Sequence, residues 1–325
     1  MELRMKILAF FFFLSLWHFV LPGETSAQKI RMGYLQSDLH QLAAFVALEK
    51  GLFKKHGVDV EVAGVFKAGP EEMSAFSGKS LDIGYVGAAP ATVAVANKVA
   101  DVKIIAQVNL EGSGIVVHKD SLINKVDHLI GKTIAVPGYA QVQDFLLRKI
   151  LIKKNIPLEK VGIIIIKVPE MIPALQTKQI DGFIAWEPFI AKSITQQVGK
   201  VLIYSGEIWP KHPCCVFVAD TNFIIMYPQK VKAILKAHIE ATTFINKQEN
   251  YPEIVNIGVK YTGMDDETVK LAMKNIYYEF MPSVEGELEY VSFLMQLGHI
   301  KIDHAKQFVD SIIEERFLLD LLKNE

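Results

Sequence analysis

The sequence predicts an α/β protein of two lobes, each built on a mostly parallel sheet, with a ligand cleft between them. The stretch Leu81-Asp82-Ile83-Gly84-Tyr85-Val86-Gly87-Ala88-Ala89-Pro90 reads as a short strand, a turn of small residues and a helix start. A second copy follows it. Ser77 to Tyr85 before Pro90 is echoed by Thr177 to Phe183 before Trp186-Glu187-Pro188, with Lys79 matching Lys178 and Asp82 matching Asp181 at one offset of 99 residues. The echo extends upstream. Strand Ile30 to Tyr34, helix Gln41 to Phe53 and strand Val58 to Val62 are matched by strand Thr133 to Val136, helix Gln143 to Ile152 and strand Ile163 to Lys167. Two such β-α-β-α-β units imply two lobes, and ligands bind outside the carboxyl ends of their parallel strands.

From its start, the chain carries Arg4 and Lys6, an apolar run from Ile7 to Leu21, the breaker Pro22-Gly23, and small residues at Thr25-Ser26-Ala27. That is an export signal, with cleavage expected after Ala27, and the run is shorter than the roughly 20 apolar residues a spanning helix needs. The domain expectation is therefore residues 1–27 as signal, 28–112 with 206–325 as the first lobe, and 113–205 as the second. Lys plus Arg number 35 against 36 for Asp plus Glu, a net charge of -1, so no overall field would hold nucleic acid or an anionic membrane. The 2 cysteines, Cys214 and Cys215, are adjacent, so an exported chain of this size has no ordinary disulfide framework.

Between Val102 to Val108 and Ile115 to His118 lies Gly112-Ser113-Gly114, a break suited to a crossing between lobes. In the first lobe Gln36-Ser37-Asp38 follows the first strand, where Ser37 or Asp38 can cap a helix or meet a ligand, and His40 is expected in solvent. Gly87 and Ala88 leave the first helical turn's N–H groups open to a ligand. In the second lobe Gly138-Tyr139-Ala140-Gln141 takes the equivalent place; Tyr139 and Gln141 could stack and hydrogen-bond there, and Gln143 faces either the cleft or the outside. Trp186-Glu187 could stack on a planar ligand and accept its N–H groups, or could be core and helix-start charge. Trp209 to Cys215 is expected at the cleft mouth. His212, Cys214 and Cys215 crowd three possible ligands into four positions around Pro213, a poor tetrahedral set, so buried free thiols are expected and no metal. From Pro228 on the pattern is helical: Val231 to Asn246, Tyr251 to Tyr261, Asp265 to Tyr278, Glu285 to Leu297 and His304 to Leu322, a tail expected on the first lobe.

Ser77-Gly78-Lys79-Ser80 is not a phosphate loop, because Met73 stands at the required glycine and a helix precedes it. No Gly-x-Ser-x-Gly, His-Glu-x-x-His or Cys-x-x-Cys motif occurs. Gly33-Tyr34, Glu49-Lys50-Gly51-Leu52-Phe53 with Gly57-Val58-Asp59-Val60, Leu81-Asp82-Ile83-Gly84 with Pro90, and Asp181 with Trp186-Glu187-Pro188 resemble the nitrate, sulfonate, taurine and aminopyrimidine group of periplasmic solute-binding proteins, over nearly the whole mature chain. The resemblance implies a type II periplasmic-binding-protein fold, ligand capture by lobe closure, and delivery to an ABC permease in the inner membrane. It further implies a monomer in the periplasm, without cofactor or catalytic residue. By position it places ligand contacts on Gln36, Ser37, Asp38, Tyr85, Val86, Gly87, Ala88, Asn109, Gly138, Tyr139, Ala140, Gln141, Trp186, Glu187 and His212. Gly138 to Gln141 lack the histidine and cationic groups usual in the anion binders, which points to a small organic solute, nitrogen-containing or planar, between Tyr139, Trp186 and Tyr85. An enzyme like the pyrimidine-precursor synthases, using the same cleft, and a ligand-sensing module are the alternatives.

Overall fold

The computed structural model describes residues 29–323. The export signal expected over residues 1–27, and its cleavage after Ala27, lie outside them. The chain forms β1 (Ile30–Leu35), β2 (Val60–Phe66), β3 (Ile83–Gly87) and β4 (Val102–Glu111), crosses to β5 (Ser113–His118), β6 (Thr133–Val136), β7 (Gly162–Ile165), β8 (Gly182–Trp186) and β9 (Gly199–Tyr204), and returns as β10 (Pro213–Asp220) and β11 (Ile276–Tyr278). Two sheets result among the described residues, ordered β11-β4-β10-β3-β1-β2 and β7-β6-β8-β5-β9. In each, the strands joined by helices pair in parallel, β1 with β2 and β3, and β6 with β7 and β8. The strands that cross between sheets pair antiparallel: β10 with β3 and β4, and β5 with β8 and β9. No helix among the described residues is long and apolar enough to cross a membrane.

The repeated Lys and Asp prove to be architectural. Asp82 accepts from the Arg31 backbone N–H at 2.8 Å, and Asp181 accepts from that of Thr133 at 2.9 Å. Their own N–H groups donate back to Arg31 and Thr133. Each carboxylate thus ties the strand that follows a helix to the first strand of its lobe. Lys79 and Lys178 carry positive φ of 55° and 57°, reversing the chain after helices Gly69–Ser77 and Val168–Gln176.

Two expected helices are shorter in the structure. Residues 265–278 form a helix only to Ala272, because Ile276 and Tyr278, buried on alternate positions, extend the first sheet beyond β4 as β11. Residues 304–322 divide into Ala305–Ile312 and Arg316–Leu322, where Glu314 N–H donates to Ile104 O at 2.8 Å. Helix Val284–Gln296 packs across both lobes and not the first alone. Its Tyr290 and Phe293 meet Phe145 of the second lobe edge to face, and Tyr290 Oη donates to Pro213 O at 2.7 Å.

Glu287 of that helix is buried and accepts from Thr92 Oγ1. Burial pushes its carboxyl up to about 7, against the Thr92 hydrogen bond. The folded state therefore binds this proton more tightly than the unfolded chain, so its stabilising contribution is complete below the ordinary carboxyl range and is lost as pH rises through about 7. Glu287→Gln removes that loss: relative to wild type, the variant should gain roughly 3 kcal/mol between pH 4 and pH 8.5. Urea denaturation of both proteins at both pH values measures the difference, in which other titrating groups cancel.

Candidate functional site

A cavity of about 20 Å³ lies where the two lobes meet. The first lobe contributes Leu35, Asp38, His40, Gly69, Gly87, Pro90, Cys214 and Cys215; the second contributes Gln141, Val142, Gln143 and Trp186. That volume holds about one water, so a solute enters only with the lobes apart. Outside it, a cleft of about 180 Å³ is lined by Gln36, Ser37, Lys67, Phe189, Lys192 and Met264 among others, and Trp186 lines both spaces.

Asp38 caps the turn Leu39–Gln41 by accepting from His40 N–H at 2.9 Å, and Gln41 is held beneath it by the Leu35 N–H. His40 is not in solvent, as the sequence suggested, but fully buried. The helix that follows it, Leu42–Glu49, is apolar on nearly every face and sinks into the core, taking the preceding turn with it. His40 Nε2 donates to Gly112 O at 2.8 Å, which leaves Nδ1 facing Cys214 Sγ at 3.3 Å, Cys215 Sγ at 3.9 Å and Asp38 Oδ1 at 3.7 Å. Burial alone would lower the imidazole, but Cys214 and Asp38 raise it to about 9. Burial raises Asp38 to about 7, with His40 opposing. Burial also resists ionisation of Cys214, yet the Cys215 thiol and the His40 ring hold it well below the ordinary thiol range, while Cys215 is driven up by Cys214 and by burial.

On the second-lobe wall, Gln141 folds its amide over Gly138, where a Cβ would stand 2.3 Å from Nε2. Gln143 faces inward and donates to Ser113 Oγ at 3.0 Å. Trp186 is buried with no hydrogen-bond partner for Nε1 among the described residues, and the same holds for His212 Nε2.

Of the positions expected at the site, Asp38, Gly87, Gln141 and Trp186 line the cavity, and Gln36 and Ser37 line the outer cleft. Others do not reach it. Tyr85 points into the first-lobe core, stacked on Phe217 at 4.3 Å with its hydroxyl 3.2 Å from His238 Nδ1. Tyr139 is half exposed and hydrogen-bonds Ile163 O, so its ring and that of Tyr85 do not face each other across the cavity. Glu187 accepts from Ala191 N–H and from Asn275 Nδ2, both at 2.9 Å, and is not among the residues lining the cavity. Asn109 accepts from Cys215 N–H and donates to Glu111 O, locking the irregular pairing of β10 on β4. Val86 and Ala88 are buried beside Gly87, Ala140 takes a φ of 58° to start its helix, and His212 stacks on Trp209 behind the cavity wall. Gln143, left open between cleft and outside, and Cys214 and Cys215, expected at the cleft mouth, line the cavity as well; His40, expected in solvent, was misplaced. The unbroken apolar run from Leu42 to Ala47 was the available signal for His40; nothing local marks its meeting with residues 174 positions away.

Comparison with known proteins fits this geometry. A binding protein of Brucella abortus (strain 2308) is 30% identical over 259 residues, covering 78% of this chain and 79% of the relative. The taurine-binding periplasmic protein of Escherichia coli (strain K12) is 31% identical over 179 residues, 54% of each chain. The periplasmic nitrate-binding protein NrtA of Synechocystis PCC 6803 superposes with a TM-score of 0.83 at 18% identity, covering 91% of this chain and 88% of that one, so the two-lobed periplasmic-binding-protein fold is shared. The NMT1-like family matches residues 23–259, and the chain belongs to that family.

Proposed function

We infer that the protein is the solute-binding component of an ABC importer. Exported by its N-terminal signal, it captures a small nitrogen-containing, planar solute between the lobes as a monomer and delivers it to a membrane permease. Relatives named as binding proteins support binding over catalysis. One observation carries the solute class: among the described residues, the inner cavity draws its walls from both lobes, is lined by no Lys or Arg, and presents the Asp38 carboxyl together with Trp186 Nε1, which has no hydrogen-bond partner among them. An amino group satisfies the first, a ring nitrogen satisfies the second, and the indole supplies an apolar face. Nitrate or a sulfonate would meet no fixed cation there other than His40.

Thermal unfolding of the mature protein tests this against aminopyrimidines, nitrate, taurine and alkyl sulfonates. A ligand at 100 times its dissociation constant adds about 2.7 kcal/mol, a shift of a few degrees for a chain of this size. An aminopyrimidine should produce it and the anions should not. Trp186→Phe, which keeps a ring but loses the N–H donor, should weaken binding about 10-fold, and Trp186→Ala about 100-fold or more. A shift with anions alone would overturn the solute class and leave the importer reading standing. Failure with every class, and with any molecule that native mass spectrometry finds copurified, would overturn the binding reading itself.

A further inference from the structure

We propose that His40, Cys214 and Cys215 form a binding site for a thiophilic metal ion of the zinc(II) type at the inner wall of the cleft. Adjacent residues of a regular strand point to opposite faces. β10 departs from that rule: its pairing with β4 shifts register between Pro213 and Cys215 and again between Cys215 and Val216, and both thiols turn toward one imidazole. The ring nitrogen and the two sulfurs lie within 4.8 Å of one another.

The triangle already has nearly the size a tetrahedral ion requires. Metal–sulfur bonds of about 2.3 Å and metal–nitrogen bonds of about 2.0 Å set ligand edges of roughly 3.6 Å from nitrogen to sulfur. The two edges here, 3.3 Å and 3.9 Å, bracket that value. The imidazole is held as a ligand should be, its Nε2–H fixed on Gly112 O at 2.8 Å so that Nδ1 turns to the sulfurs. Two thiolates with one imidazole select a borderline-soft ion over magnesium or calcium. All three residues are buried. All three ligands line the same cavity as Asp38. The sequence grouped these thiols with His212, whose Nδ1 instead donates to Pro213 O at 3.0 Å; the fold substitutes a histidine from the other end of the first lobe.

The mature protein, reduced and stripped with a chelator, is titrated anaerobically with cobalt(II). One equivalent should give a thiolate-to-cobalt charge-transfer band in the near ultraviolet and the intense visible bands of a tetrahedral site, both removed by zinc(II). Cys214→Ser and Cys215→Ser should each weaken zinc binding by about 100-fold or more, and the exposed-histidine control His128→Asn should not change it. Circular dichroism confirms that each variant is folded. Zinc should also protect both thiols of the wild type from maleimide, a readout that needs no variant. Absence of the charge-transfer band, metal binding that survives both cysteine substitutions, or a stable disulfide between the two residues would each overturn the site. None of these readouts involves the imported solute, so the site and the transport reading succeed or fail separately.

Discussion

Tyr85→Ala should cost about 3–5 kcal/mol of folding stability, among the largest losses any single truncation in the first lobe can cause. Tyr85 stands on the central run of the first sheet, with β1 on one side and β10 on the other, and is 0% exposed. Its ring stacks on Phe217 at 4.3 Å, so removal opens a void that the flanking strands cannot close without breaking register. The hydroxyl matters separately. His238 Nε2 donates to Gln107 O at 2.7 Å, which leaves Nδ1 as an acceptor for the Tyr85 hydroxyl. Burial lowers His238 to about 4, so the ring is neutral and that acceptor is present near neutral pH. Tyr85→Phe keeps the packing and orphans Nδ1, at about 1–2 kcal/mol. Urea denaturation reads both values. Tyr85→Phe should leave solute affinity unchanged, because the ring faces away from the cleft; a solute-binding defect in a normally stable Tyr85→Phe protein would return this residue to the site.

The two lobes were legible because their signals are local. Alternation, helix starts and the 99-residue echo lie within single supersecondary units, and the echo corresponds to one hydrogen-bonding device used twice, Asp82 on Arg31 and Asp181 on Thr133. The same echo pointed toward the site, but its Lys and Asp serve the fold. Trp186, Gln141 and Asp38 were legible as cleft residues because they follow strands at carboxyl ends, where the fold class puts ligands. Tyr85 and Glu187 occupy those same ends and were read the same way, yet strand pleat turns one into the core and the other bonds Ala191 and Asn275 away from the cavity lining. Which way a side chain points at a strand end depends on one residue of register, and sequence periodicity does not resolve that over five residues. The His40 cluster was beyond local signals altogether, since its partners meet only after β10 returns between β3 and β4.

Gly112→Ala should damage fold and site together. Gly112 joins β4 to β5 at the crossing between sheets and has φ of 81°. A Cβ there would stand 2.3 Å from His40 Nε2 and 3.0 Å from Ile276 Cγ1, and the Gly112 carbonyl accepts from both His40 Nε2 and Glu187 N–H. Left-handed backbone alone costs an alanine about 1–2 kcal/mol. Displacing a buried imidazole from its acceptor adds about as much again, so a total near 3 kcal/mol is expected. Gly131→Ala separates the two contributions: its φ is 75°, but no atom lies within 4 Å of the added Cβ, so it should lose only the backbone portion. Urea denaturation gives both stabilities, and cobalt(II) titration gives the second readout. If the crossing positions the imidazole, Gly112→Ala weakens cobalt binding while Gly131→Ala leaves it intact. Equal stability losses in the two variants, with unchanged cobalt spectra, would mean that His40 tolerates the intrusion and that the crossing holds the lobes without orienting the cluster.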